Sequence, residues 1–309
     1  MLQTAASILM VRPACFGYNT ETALSNAFQQ KVSKKNKKAT SEKAVMEFDR
    51  FIAQLMENDI DVMVIQDTKK PEKPDAVFPN NWFCTLPSGI VCVFPMQSVI
   101  RRGEKRNDIL EMLTERFTVK DVQDWSEYEA EEKYLESTGS MVIAHISRII
   151  YACISVRTNR YVLEQFARAY GYKVFAFAAN DENGTAIYHT NVMMHIGEGY
   201  AVVCTGCITD KAELAALKQL LASTGHEIIE ISMVQMRCFS GNMIQVRSRR
   251  GKKFTILSER AYESLKIKQR RKIQSYSHLL KADIATIENA GGGGVRCMIA
   301  EIFLFLIQN

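Results

Sequence analysis

Short apolar, β-branched runs alternate with amphipathic helical patterns along the whole chain, and this alternation constrains the fold more than any other feature. Strand-like runs fall at 7–11, 61–66, 90–94, 149–154, 173–177, 201–204, 227–231 and 253–257. Helical spacing appears at 41–58, where Val45, Phe48, Ile52 and Leu55 recur every three or four residues and Ser41 is placed to cap the first turn. It returns at 159–170, at 210–223 behind Asp210, at 258–265 and at 268–280. No long linker or low-complexity tract interrupts the series, so one continuous α/β domain over 1–309 is expected. With 47% hydrophobic residues the chain can bury a substantial core.

Several function classes recede on composition. No run approaches the ~18 apolar residues of a membrane span, and the first residues lack a basic segment before their short apolar run. A cytoplasmic protein that does not engage membranes is the expectation. The eight cysteines are scattered, mostly in strand-like runs, as for reduced buried thiols. Cys204 and Cys207 form a C-x-x-C without the second pair that a structural zinc site needs. Net charge is +5, with basic runs at 31–38, 247–253 and 266–272, but no aromatic residues interleave them, and nucleic acid is not expected as a partner.

The sharpest chemical signal is Asn289-Ala-Gly-Gly-Gly-Gly-Val-Arg-Cys-Met-Ile-Ala-Glu301. Four consecutive glycines are costly in an ordinary element, yet they let backbone approach a ligand closely. A thiol three residues later can sit at the exit of such a loop, which makes Cys297 a candidate nucleophile rather than a buried structural cysteine. A nucleophilic thiol needs a proton-transfer partner in space. Of five histidines, His189 in Ile187-Tyr-His-Thr-Asn191 has the most suitable setting, a polar triplet before an apolar segment. His145 follows the unusual Glu136-Ser-Thr-Gly-Ser140, while His195, His226 and His278 read as structural or surface groups. Glu136, and Asp75 in Pro74-Asp-Ala-Val-Phe-Pro-Asn-Asn-Trp82, either bind a cationic group through paired hydrogen bonds or cap turns.

Taken together, Met10-Val-Arg-Pro-Ala14, Phe16-Gly-Tyr-Asn19, the 74–82 segment, Glu136–Ser140, the His189 triplet and the Gly291–Glu301 signature resemble the guanidino-modifying enzyme superfamily of the pentein fold. That superfamily includes arginine deiminases, dimethylarginine dimethylaminohydrolases and amidinotransferases, and the resemblance is greatest to its citrulline-utilising, amidinotransferase-like branch. It implies an α/β propeller of five ββαβ-like modules about a pseudo-fivefold axis, with the active site in the central channel. It also implies Cys297 as nucleophile, His189 as general acid and base, and Glu136 as the acid that holds the histidine or the substrate nitrogens. Ser155-Val-Arg-Thr-Asn159 and Ile100-Arg-Arg-Gly-Glu104 resemble basic segments of the dimethylarginine hydrolases, which implies Arg157 and Arg102 as clamps for a substrate α-carboxylate. The loop 66–74 is a candidate lid.

The departures from the family pattern bear on the substrate. Asn80 and Asn81 stand where the dimethylarginine hydrolases are acidic, and Asn191 stands where arginine deiminases carry an aspartate. Amides cannot balance a guanidinium charge, but they can donate to and accept from a neutral ureido group. Citrulline is therefore the expected substrate, held by Asp75, Asn80, Asn81 and Asn191 and hydrolysed to ornithine, ammonia and carbon dioxide. Ser137 replaces a usual glycine and Ala144 a common aspartate. No cofactor or metal is expected, because the thiol supplies the nucleophile. An amidinotransferase, or a deiminase of arginine or methylarginine, is the alternative with the same residues. A non-catalytic, ribosome-binding pentein protein is disfavoured by the presence of both Cys297 and His189.

Overall fold

The alternation resolves into five copies of one unit. The computed structural model describes residues 2–307. Each unit is a three-stranded sheet: an antiparallel pair, then a helical crossover to a strand parallel to the middle one. The strands in chain order are β1 (Ser7–Arg12), β2 (Asp61–Gln66), β3 (Phe83–Thr85), β4 (Ile90–Val93), β5 (Asp121–Asp124), β6 (Val142–Ala144), β7 (Ile149–Cys153) and β8 (Lys173–Phe177). There follow β9 (Met194–Gly197), β10 (Tyr200–Val203), β11 (Glu227–Glu230), β12 (Ile244–Arg247), β13 (Lys253–Ser258), β14 (His278–Ala282) and β15 (Ala300–Ile302). The fifth unit joins both ends of the chain: β15 runs antiparallel to β1, with Ser7 opposite Ile302, and β2 runs parallel to β1. The first strands of neighbouring units abut, β15 beside β3 and β9 beside both β6 and β12. This is the five-unit α/β propeller of the pentein fold.

Crossover helices cover the outer side of the sheets and bury one apolar stripe each. The longest, Lys37–Glu57, buries Phe48, Phe51, Ile52 and Leu55 with Ile8, Met10 and Val62. Each such side chain contributes roughly 1.5–3 kcal/mol on removal from water. Asn159 and Asp210 cap their helices as their residue type demands, each accepting two backbone N–H bonds. The first helix differs from expectation. It begins at Lys37, and Asn36 precedes it without a side-chain cap bond, so Ser41 lies inside its first turns. Likewise the helix expected at 268–280 ends at Gln274, and residues 278–282 form β14 beside β13, because Leu279 and Leu280 complete a sheet rather than a helical stripe.

What positions the site is a repeated local device. A single helical turn precedes the first strand of four units, at Pro79–Asn81, Ser137–Ser140, Thr190–Met193 and Val295–Met298. In the remaining unit a turn closed by Asn242 N–H onto Phe239 O at 2.9 Å takes its place. The 79–81 turn packs against those at 137–140 and 295–298, and the 137–140 turn against 190–193. Polar residues of all five units thereby converge at one end of the axis. Among the described residues no helix is long and apolar enough to cross a membrane.

Candidate active site

At this convergence lies a pocket whose lining includes Thr22, Asp75, Asn81, Arg101, Arg157, His189 and Cys297. Its floor is Cys297, 3% exposed, on the Val295–Met298 turn. The glycines before it serve close approach: a Cβ at Gly291 or Gly293 would lie 2.7–2.9 Å from the Phe78 ring. Gly292, at φ +65°, ends the preceding helix in the left-handed region. His189 Nε2 lies 2.8 Å from Glu136 Oε2, and both residues are buried. Gly139 makes room for this pair, since a Cβ there would meet Asn81 Nδ2 at 2.5 Å and His189 Cε1 at 2.8 Å.

Charge decides the protonation of the pair. Burial would raise the Glu136 carboxyl, but Arg157, the His189 N–H and Arg101 together outweigh it and hold it at about 2. Burial lowers His189 to about 4, with Arg157 and Arg101 adding to that effect and the Glu136 bond opposing it. The state consistent with both is a carboxylate accepting from a neutral imidazole at Nε2, which leaves Nδ1 as the free proton-accepting nitrogen. Burial raises the Cys297 thiol, opposed by the Asn242 amide and the Gly294 backbone. Burial also raises Asp75, opposed by Arg101 and by the Asn19 amide. Asp75 Oδ2 accepts from Asn19 at 2.8 Å, while the buried Oδ1 has no partner.

The structure places the sequence-predicted residues unequally. Asp75, Asn81, Arg157, His189 and Cys297 line the pocket directly. Glu136 lies behind His189, and Asn191 Nδ2 is 3.8 Å from Cys297 Sγ. Asn80 is further removed, bridging Thr138 Oγ1 and Asn81. Arg157 spends its donors within the protein, on Ser25 Oγ at 2.7 Å and Thr22 O at 3.1 Å, with Nη1 3.5 Å from Glu136. Arg102 requires correction. It points away, to Met96 O and Glu129, and its neighbour Arg101 enters the pocket instead. On the single turn Val99–Arg102 consecutive side chains diverge by ~100°, so the doubled arginine left the inward one undecided.

Arg101 is clamped by Glu104 through two 2.9 Å bonds and donates to Asn81 Oδ1 at 2.9 Å. The loop 66–74 is tied to itself through buried Lys73, bonded to Thr68 and Pro71. Residues 19–29 cover the pocket instead: Asn26 Nδ2 reaches Gly292 O at 3.2 Å, and Thr22 and Ser25 hold Arg157. His145 lines a separate cavity with Gln245, Arg296 and Glu301, its Nδ1 2.9 Å from Tyr172 Oη. Cys204 and Cys207 are buried with their sulfurs 3.1 Å apart. Among the described residues no three His, Cys, Asp or Glu side chains are grouped to hold a metal.

Sequence reading missed Arg101, Thr22, Asn26 and Asn242. For Asn242 a signal existed: Asn242-Met-Ile and Cys297-Met-Ile are the same polar-Met-Ile entry into an inner strand, and Asn191-Val-Met is a third version.

Ser137 explains why glycine is usual after the acidic residue. Its φ is +42°, in the left-handed region, and its buried Oγ has no partner. Such strain costs about 1–3 kcal/mol, against ~0.5–1 kcal/mol for glycine's extra chain entropy. Ser137→Gly is therefore expected to stabilise the protein by about 1 kcal/mol, read as a higher urea midpoint at unchanged slope.

Solved structures share this fold. An N-terminal domain of ArgZ bound to substrate, an arginine dihydrolase from the ornithine-ammonia cycle in Cyanobacteria, aligns with a TM-score of 0.73 at 15% identity, over 96% of this chain and 97% of that one. The apo structure of ArgZ aligns at 0.74 and 16% identity over 98% of this chain, which spans only 41% of that one. A dimethylarginine dimethylaminohydrolase adduct with S-methyl-L-thiocitrulline aligns at 0.62 and 16% identity, over 96% and 100% of the two chains. No curated protein matches by sequence. The family described as N,N dimethylarginine dimethylhydrolase, eukaryotic, matches residues 12–304. With that match, on a five-unit propeller, the chain belongs to this family and to the guanidino-modifying hydrolases of the pentein fold.

Proposed function

We propose that this protein hydrolyses a ureido or guanidino amino acid, citrulline foremost, through a covalent intermediate on Cys297. The observation that carries the reading is one pocket holding a thiol, a neutral His189 paired to Glu136, and the unpartnered Asp75 Oδ1. Asp75 Oδ1 is an acceptor waiting for a substrate N–H, with Asn81 and Asn191 beside it. Two guanidinium groups, Arg101 and Arg157, already line the pocket beside the carboxyls of Asp75, Glu104 and Glu136. Arg157 Nη1, with only a 3.5 Å contact, is the donor best placed for the substrate carboxylate.

His189 Nδ1 takes the Cys297 proton as the sulfur attacks the ureido carbon. The imidazolium then protonates the departing amino group, and ammonia leaves an S-carbamoyl cysteine. Nδ1 next accepts a proton from water as its oxygen attacks the carbonyl. The C–S bond breaks, the thiol is restored, and the carbamate of ornithine loses carbon dioxide. The balance is citrulline plus water to ornithine, ammonia and carbon dioxide.

A second reading, hydrolysis of arginine or a methylarginine, is favoured by the free Asp75 oxygen, which suits a cationic N–H donor, and by the substrates named for the relatives above. Ammonia, amine and ornithine release from citrulline, arginine and dimethylarginine, with water as the sole acceptor, decides between them. Silence on all three would sink the function. With the active substrate, kcat/KM is expected to fall only as pH drops through about 4, where His189 gains its proton, with no inflection near the ordinary 6.5. An acid limb centred near 6.5 in the pH–rate profile would contradict the neutral pair.

A further inference from the structure

Cys297 has a second polar neighbour from a unit that contributes nothing else to the pocket. Asn242, 1% exposed, places Nδ2 3.3 Å from Cys297 Sγ, nearer than the 3.8 Å of Asn191. Its orientation is fixed from both ends. Oδ1 accepts the Arg296 backbone N–H at 3.1 Å, and Nδ2 donates to Asn191 O at 3.0 Å. A backbone N–H can only donate and a carbonyl oxygen can only accept, so the NH₂ end must face the sulfur. The packing is built around this amide. A Cβ at Gly294 would lie 2.7 Å from Asn242 Oδ1, and one at Gly241 would lie 2.4 Å from Val192 O.

We propose that Asn242 is a catalytic residue that donates Nδ2–H to the Cys297 sulfur and holds it as the reactive thiolate. The proposal rests on Cys297 being the nucleophile, as read above. The proton lost by Sγ goes to His189, and the sulfur electron pair is stabilised by the amide. Charged or titratable groups around the sulfur are Asp75, Arg101, Glu136, Arg157, Tyr188, His189 and Arg296, and none has a hydrogen bond to Sγ. A neutral donor in contact therefore does what an adjacent cation does in other reactive cysteines.

The test reads the thiol directly and needs no substrate. Iodoacetamide alkylates the thiolate with loss of iodide, and the rate at Cys297 is followed against pH by mass spectrometry of its peptide. Wild type, Asn242→Ala, Asn242→Asp and Asn191→Ala are compared, with melting curves to show that each is folded. Hydrogen bonds to charged groups of this kind correspond to a rise in the alkylation midpoint of about one to two pH units in Asn242→Ala. Asn242→Asp keeps an acceptor for Arg296 but turns a carboxylate oxygen to the sulfur, so its rise is at least as large, and Asn191→Ala shifts less. Midpoints within a few tenths of wild type in the folded Asn242 variants overturn the proposal. If Asn242→Ala does not fold, the near-isosteric Asp variant decides alone. A shifted midpoint in a protein that turns over none of the three amino acids would keep Asn242 as the donor to the Cys297 sulfur but overturn its catalytic role together with the proposed function.

Discussion

Cys297→Ser is expected to lower kcat by at least about 10⁴-fold while leaving the fold intact. Serine is nearly isosteric with cysteine, and Cys297 sits in a dense cluster with Phe78, Val295 and Met298, so packing changes little. The chemistry changes much more. A hydroxyl is far harder to ionise than a thiol, and His189, held neutral down to about 4, is too weak a base to remove its proton. The covalent intermediate should vanish from acid-quenched samples analysed by intact mass, and ammonia release should fall to background. Activity within tenfold of wild type would mean that the sulfur is not the nucleophile. The variant should melt within about 1 kcal/mol of wild type, because a volume-conserving change at a well-packed site costs little.

Glu136→Gln should damage both activity and stability, because one carboxylate oxygen serves three partners. Its Oε2 lies 2.8 Å from His189, 3.5 Å from Arg157 and 3.9 Å from Arg101, all buried. Removing the charge leaves two guanidinium groups short of an anion in a desolvated pocket. Breaking a buried pair in this way typically costs about 3–5 kcal/mol. The amide still accepts from His189 but no longer stabilises the imidazolium formed when Cys297 gives up its proton, so kcat should drop by about 10²–10⁴-fold. The pH dependence separates charge from packing. Glu136 titrates at about 2 in the folded protein, below the ordinary 4.5, so its contribution is fully present above 4.5 and is lost as pH falls through about 2. The difference in urea stability between wild type and Glu136→Gln should therefore be largest at neutral pH and narrow between pH 4.5 and 2. A constant difference across that range would assign the loss to packing alone.

The cover over the pocket also bears on access. Residues 19–29 bridge both sides of it, through Asn26 to the glycine loop and through Thr22 and Ser25 to Arg157. These bonds run to groups that themselves line the site, so the cover is tied both to Arg157 and to the glycine loop before Cys297. The 66–74 loop has no such link, because buried Lys73 satisfies itself on Thr68, Pro71 and Asp67.

Local pattern recovered the elements whose signal is long and one-sided. The crossover helices and the buried middle strands β1, β4, β7, β10 and β13 follow from apolar periodicity and caps such as Asp210. The inner strands β3, β6 and β15 have three residues each, and β5 is exposed throughout, so none carries a readable alternation. Similarly, the polar chemistry of Cys297, His189, Glu136 and Asp75 was legible as unusual segments, because each costs stability wherever it is not needed. Which of two adjacent arginines turns inward was not legible, nor was the pairing of Asn242 with the sulfur or the cover formed by 19–29. These depend on the angle at which five short turns meet around an axis, and that angle is set by sheets whose partners lie up to the full length of the chain apart. Sequence by itself determined which groups are available for chemistry; only the closed ring decided which of them touch, because contact there is a property of the assembled units and of no single segment.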